Sequence, residues 1–138
     1  MVIDTPAGLK TKMPVGEAAG TSVTDLHDLI DTFEDRTTQA LLTITGNYGV
    51  LLTDNRRKIV VNTASPVTIT FPSNTPAGFE VLIFQQGAGA GVVAVTGGTL
   101  LSRDNHTRTA GLYAVAYAFC VSNAGTAPQV ALTGDTAP

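Results

Sequence analysis

The sequence predicts an all-β protein, in which an antiparallel β-sandwich or jelly-roll-like domain follows an extended N-terminal arm and one short amphipathic α-helix. From residue 39 onward, short runs rich in Val, Ile, Thr, Phe and Tyr alternate with turns rich in Pro, Gly and Asn. Strands at this spacing are typical of sandwiches and jelly rolls. A chain of 138 residues has room for one domain. We expect the arm and the helix over residues 1–38 and the β-sandwich over residues 39–138.

Residues 1–20 are predicted to form the extended arm. Prolines at positions 6 and 14 would interrupt a strand, and the apolar residues do not recur at helical spacing. A disordered terminus is the common alternative for such a segment. The apolar residues are nevertheless more numerous than a solvated tail needs, so we expect them to contact a neighbouring subunit. These candidate contacts are Val2, Ile3, Leu9, Met13 and Val15.

Residues 22–35 are predicted to form the helix. Their apolar side chains recur at i, i+3, i+4 and i+7 and so share one face: Leu26, Leu29, Ile30 and Phe33. A helix of this length is marginal alone in water. We therefore expect the stripe to pack on the β domain or on another subunit, with Leu26, Ile30 and Phe33 as candidate contacts. The acidic residues opposite the stripe could bind a divalent ion, but a solvated face is their usual role.

Ten strands are expected after the helix. The run from Val67 to Phe71 alternates apolar residues with Thr, which predicts a half-buried strand. The run from Phe79 to Gln85 is apolar on both faces and therefore predicts a central strand, and Gly97-Gly98 predicts a tight hairpin. The predicted strands span residues 39–45, 49–53, 57–62, 66–71, 79–86, 92–96, 98–102, 106–109, 112–122 and 128–133.

Side chains that carry chemistry are sparse. The glycine-rich segment 87–91 leads into a strand and lacks the Lys-Ser/Thr of a phosphate-binding loop, so a turn or a bulge is the better interpretation. Neither His27 nor His106 belongs to a recognisable ligand set, and Cys120 reads as a small buried hydrophobic residue. We expect a protein that is not an enzyme and has no cofactor, no metal and no small-molecule substrate.

Charge and hydropathy narrow the partners further. Charged residues make up 14% of the chain and the net charge is −3, which argues against binding nucleic acid through its phosphates. The basic run 56–58 is expected to decorate a turn, with an acidic neighbouring subunit as the alternative. No apolar run approaches the roughly 20 residues that cross a membrane. The first residues lack the pattern of a signal peptide, so we expect synthesis in the cytoplasm.

Four segments together resemble a β domain that is widespread in virion proteins of tailed bacteriophages. They read VTITFP at 67–72, GFEVLIFQQGAGAGVVAV at 78–95, TAGLYAVA at 109–116 and VALTGD at 130–135. Their order and spacing carry the resemblance, which runs from Asp54 to Thr136 and covers about three-fifths of the chain. The chain departs from the family pattern at Val130, where the family has Trp.

The resemblance implies a structural protein of the virion. Phage proteins with this domain are fibres, tail parts or small proteins that cement capsids, and 138 residues are few for a fibre. We expect a capsid cement or decoration protein on the capsid exterior, made in the host cytoplasm. Its partners would be the major capsid protein and itself, as a dimer or trimer. A tail or head-fibre component is the alternative. A small carbohydrate-binding β domain is the third choice. It ranks last because sugar-binding sites use aromatic side chains, and the chain has no Trp and three Tyr.

Overall fold

The structure is a computed structural model and describes residues 40–138. The predicted arm, the predicted helix 22–35 and the acidic residues of its polar face lie outside the described residues.

Eleven strands and two 3-10 helices form the described part, and most lie where the pattern of residues predicts a strand. The 3-10 helices span Leu52–Asp54 and Arg103–Asn105. The strands are β1 (Leu42–Ile44), β2 (Tyr48–Gly49), β3 (Arg57–Val61), β4 (Val67–Phe71), β5 (Glu80–Gln85), β6 (Gly91–Val95), β7 (Thr99–Ser102), β8 (Arg108–Thr109), β9 (Val115–Asn123), β10 (Pro128–Gly134) and β11 (Thr136–Ala137).

Two predicted strands differ from the observed ones. The segment predicted as a strand over 49–53 ends early, because Leu52–Asp54 is a 3-10 helix. The strand predicted over 112–122 begins at Val115, since the two residues before Ala114 lie exposed in a turn. The short strand β11 was not predicted.

The strands form two sheets with one hydrophobic core between them. A six-stranded sheet has the order β1-β3-β5-β9-β10-β7, and a five-stranded sheet has the order β11-β8-β6-β4-β2. Buried residues of both sheets meet in the same core, including Ile59, Ile83, Ile69 and Phe71. The all-β prediction is confirmed, and β5 is indeed an interior strand of its sheet.

The prediction that the strands are antiparallel is wrong for much of the molecule. Of the nine strand pairings within residues 40–138, five are parallel and four are antiparallel. From β1 to β7 the chain passes from one sheet to the other at every connection. Each of the strands β1 to β4 pairs in parallel with the strand two positions along. Antiparallel pairing begins only where β8, β9, β10 and β11 join the sheets.

The predicted hairpin at Gly97-Gly98 is also wrong. Strands β6 and β7 belong to different sheets, so the two glycines mark a crossover between sheets. A Cβ atom on Gly98 would overlap the carbonyl oxygen of Pro128. Close approach of two backbone segments, rather than a tight turn, explains why glycine stands there.

Side chains alternate between the core and the outer faces along the main strands. In β4, Val67, Ile69 and Phe71 are buried and the intervening threonines are half-buried, as the sequence predicts. Phe71 meets Phe79 edge to face at 6.2 Å between ring centroids, a favoured aromatic geometry. Cys120 is buried as predicted, and its thiol lies 3.5 Å from the carbonyl oxygen of Thr75.

Candidate interaction surface

The outward face of the six-stranded sheet carries a group of apolar side chains at its centre. Strand β5 buries Val81, Ile83 and Gln85 and turns its other residues outward. Strand β9 buries alanines and Cys120 and likewise turns its larger residues outward. We call five neighbouring outward-facing apolar residues of these two strands the outer patch: Leu82, Phe84, Val115, Tyr117 and Phe119.

Pairing between β5 and β9 brings the outer patch together. The antiparallel register places Leu82 opposite Tyr117 and Phe84 opposite Val115. Directly opposed side chains on one face of a sheet are close enough to contact one another. The rings of Tyr117 and Phe119 lie 5.4 Å apart. The outer patch is therefore a continuous apolar surface, and apolar surface of this kind at the centre of a sheet is typical of an interaction site.

One edge of the outer patch is polar. The hydroxyl of Tyr117 donates a hydrogen bond to the carboxylate of Glu80, which raises the pKa of Tyr117 above its usual value. Glu80 also forms an ion pair with Arg56 at 3.6 Å. Together with Leu82 and Lys58 these residues line a cleft of about 230 Å³. The surface thus combines an apolar centre with a charged border, the anatomy of protein–protein contact sites.

The basic run 56–58 divides between two roles. Arg57 donates to the buried carboxylate of Asp54 at 2.9 Å and to the carbonyl oxygen of Ala40 at 3.2 Å. Arg56 and Lys58 are exposed at the border of the outer patch. The prediction that the run decorates a turn is therefore wrong for Arg57, whose charge balances a buried carboxylate.

Asp54 is fully buried and holds the connection from β2 to β3. Its carboxylate accepts hydrogen bonds from the Tyr48 hydroxyl at 2.6 Å, from the amide of Leu51 at 2.8 Å and from Arg57. Burial, and then the bond to Asp54, raise the pKa of Tyr48 to about 12. A carboxylate with these partners is a structural anchor, because both of its buried oxygens have a hydrogen-bond donor.

The buried Gln85 organises the glycine-rich segment 87–91. Its side-chain nitrogen donates to the carbonyl oxygen of Gly87 at 3.0 Å, and its side-chain oxygen accepts from the Thr109 hydroxyl at 2.6 Å. The amide of Gly91 donates in turn to the Thr109 hydroxyl at 2.9 Å. These bonds make the segment a packed turn between β5 and β6. They agree with the sequence-based preference for a turn over a phosphate-binding loop.

A second surface feature lies beside Phe84, at the C-terminal end of β5. Tyr113 is 65% exposed, and its ring stacks on that of Phe84 with 6.2 Å between centroids. A hollow of about 480 Å³ opens beside it. The residues that line it are Ala110, Gly111, Leu112, Tyr113, Ala114, Gly134, Asp135 and Thr136. We call this the Tyr113 hollow.

The partner contacts predicted from the sequence all precede Ala40. Val2, Ile3, Leu9, Met13, Val15, Leu26, Ile30 and Phe33 lie outside the described residues, so they stay predictions. The outer patch was not predicted as a site, although the sequence pattern indicates it. Strands β5 and β9 are apolar on both faces, and only one face of each can line the core. Tyr113 gave no sequence signal at all.

Other classes of site have little support within the described part of the chain. Residues 40–138 contain no group of three or more His, Cys, Asp or Glu side chains placed to hold a metal ion. Over the same residues, no helix has the length and apolar character that crossing a membrane requires. His106 contacts the Thr136 hydroxyl at 2.9 Å through Nδ1, which is a local structural contact.

Comparisons with known proteins add no assignment. The chain matches no protein-family model, no curated protein and no solved structure.

Proposed function

We propose that this protein is a non-enzymatic structural component of a tailed-bacteriophage virion, a capsid cement or decoration protein on the capsid exterior. The outer patch is the observation that supports the proposal most directly, because it offers a built protein-contact surface on a rigid sheet. The resemblance of residues 54–136 to phage virion β domains supplies the class of partner. The major capsid protein and further copies of this chain are the proposed partners, with no nucleic acid, membrane, cofactor or substrate involved.

A cement protein needs only to bind its partners and does not have to catalyse a reaction. A contact of ordinary size buries roughly 800 Å² on each partner and gives only ordinary affinity. A dimer or trimer that touches several capsid subunits gains from effective concentration, so modest contacts hold tightly. The predicted arm and the apolar stripe of the predicted helix would add contacts beyond the outer patch.

The direct test is the copy number in purified virions of the phage that encodes the chain, measured by quantitative mass spectrometry. A cement protein is expected in hundreds of copies, on the order of the number of capsid subunits. A few copies for each particle would contradict the cement role and favour the alternative, a tail or head-fibre component. Absence from the virion would contradict both.

A second experiment tests the outer patch itself. Phe119→Lys places a charge in the patch opposite Glu80, where the free protein can tolerate it. We expect an unchanged melting temperature and at least tenfold weaker co-sedimentation with capsids that lack the protein. The matched control is Thr70→Lys, a half-buried position on the outward face of the other sheet. Equal binding by both variants would show that the patch is not the contact surface.

A further inference from the structure

The Tyr113 hollow is an open, mostly polar depression beside one exposed aromatic ring. Its volume of about 480 Å³ lies within the range of roughly 300–1,000 Å³ that is usual for such sites. The walls come from two turns, residues 110–114 and 134–136, which lie side by side through a hydrogen bond from the amide of Ala110 to the carbonyl oxygen of Asp135 at 2.9 Å. Among the residues that line the hollow, Asp135 carries the one charge.

Tyr113 adopts a backbone conformation that is unusual for its residue type. Its φ angle is +67°, in the left-handed region that bulky side chains rarely occupy. Two hydrogen bonds to the end of β5 hold it there: the Tyr113 amide donates to the carbonyl oxygen of Gln85 at 2.7 Å, and the Gln85 amide donates to that of Ala114 at 3.0 Å. Conformations of this kind persist only where the surroundings impose them, and they cluster at ligand-binding sites.

The result of this conformation is a fixed and solvent-exposed aromatic ring. Phe84 stacks on the Tyr113 ring with an angle of 15° between the planes, while 65% of Tyr113 remains exposed. A core role would not require this exposure. A ring that is already held in place loses little conformational freedom when a ligand stacks on it.

We propose that the Tyr113 hollow binds a neutral saccharide. The face of an aromatic ring carries partial negative charge and so suits the weakly positive C–H face of a pyranose ring. The Asp135 carboxylate can accept strong hydrogen bonds from sugar hydroxyls. The same carboxylate repels phosphate and other anions. This inference does not rest on the proposed virion role.

The test uses the full chain with methyl glycosides of glucose, galactose, mannose and N-acetylglucosamine and with their disaccharides. Saturation-transfer difference NMR should show transfer from the protein to at least one of them, and calorimetry should give a millimolar Kd, since one stacked ring is a small contact. Tyr113→Gly removes the ring and relieves the backbone conformation, so it should melt no lower than the natural chain yet lose at least tenfold in affinity. Asp135→Asn should weaken binding several-fold.

Tyr117→Phe is the control, because it keeps an aromatic ring and changes a tyrosine outside the hollow. It should bind the saccharide as the natural chain does. The proposal fails if no neutral saccharide shows transfer, or if Tyr113→Gly binds as tightly as the natural chain. It also fails if inorganic phosphate binds more tightly than every saccharide and Asp135→Asn strengthens that binding.

Discussion

The two halves of the described domain, residues 40–102 and residues 106–138, differ in how their strands are connected and paired. Over residues 40–102, consecutive strands never pair, and the chain passes between the sheets at each connection. Over residues 106–138, β9 and β10 pair directly through a short connection, with seven residues in antiparallel register and one irregularity between Gln129 and Val130. The first half is therefore assembled from contacts between residues far apart in sequence, and the second half contains a local hairpin.

This difference changes what holds each half together. Parallel partners cannot be aligned by a short turn between them, so the first half depends on anchors within its crossovers. Asp54 fastens the crossover from β2 to β3, and Gln85 with Thr109 fastens the crossover from β5 to β6. The β9–β10 hairpin needs fewer anchoring side chains, because the hydrogen bonds between its two strands fix their register.

The outer patch lies where the two halves meet. Strand β5 is the last strand of the parallel series in its sheet, and β9 is the first antiparallel strand beside it. Both are interior strands that are apolar on both faces. The candidate surface is thus supported on either side by paired strands, which keeps it rigid.

The largest expected effect comes from removing the anchor of the first half. Asp54→Ala should lower the free energy of unfolding by about 2–4 kcal/mol, since it leaves the Leu51 amide, the Tyr48 hydroxyl and the partly buried Arg57 without their shared acceptor. Urea denaturation of the full chain measures this change. The control is Arg103→Ala, whose ion pair with Asp104 at 3.8 Å is solvent-exposed and should contribute nothing measurable. An equally small effect of Asp54→Ala would mean that the crossover does not depend on this anchor.

A smaller loss is expected from a methyl group in the glycine-rich crossover. A Cβ atom on Gly89 would overlap the carbonyl oxygen of Ser65, so Gly89→Ala should cost about 1–3 kcal/mol through displaced backbone. Gly46→Ala is the matched control, because a Cβ atom there meets nothing within 4 Å, and it should stay within about 0.5 kcal/mol. If the two variants have the same melting temperature, the close approach of the two crossovers is not important for stability.

The smallest effect concerns alkaline pH. The phenol of Tyr48 has a pKa of about 12 in the folded protein, against an ordinary value of 10.0. The folded state therefore holds this proton more tightly. The stabilisation is fully present below pH 10 and is lost as the pH rises toward 12. Stability curves between pH 9 and pH 12 should fall less steeply for Tyr48→Phe than for the natural chain, and parallel curves would contradict the assigned pKa.

The sequence located most of the strands because alternation and turn residues are local signals. Val67–Phe71 alternates buried and half-buried residues as its pattern indicates, and Cys120 is buried as predicted. The same signals misled at Gly97-Gly98. A glycine pair that turns a hairpin and a glycine pair that lets two backbones approach look identical in sequence.

By itself, the sequence determined the all-β class, the interior position of β5 and the small number of residues able to do chemistry, since these follow from composition and from periods of two residues. Strand direction and sheet order were decided only by the tertiary structure, because they depend on which distant segments the crossovers bring together. The exposed position of the Tyr113 ring was likewise decided only by the tertiary structure. Its left-handed backbone is imposed by hydrogen bonds to Gln85, a residue remote in sequence, and no local preference of tyrosine would have placed it there.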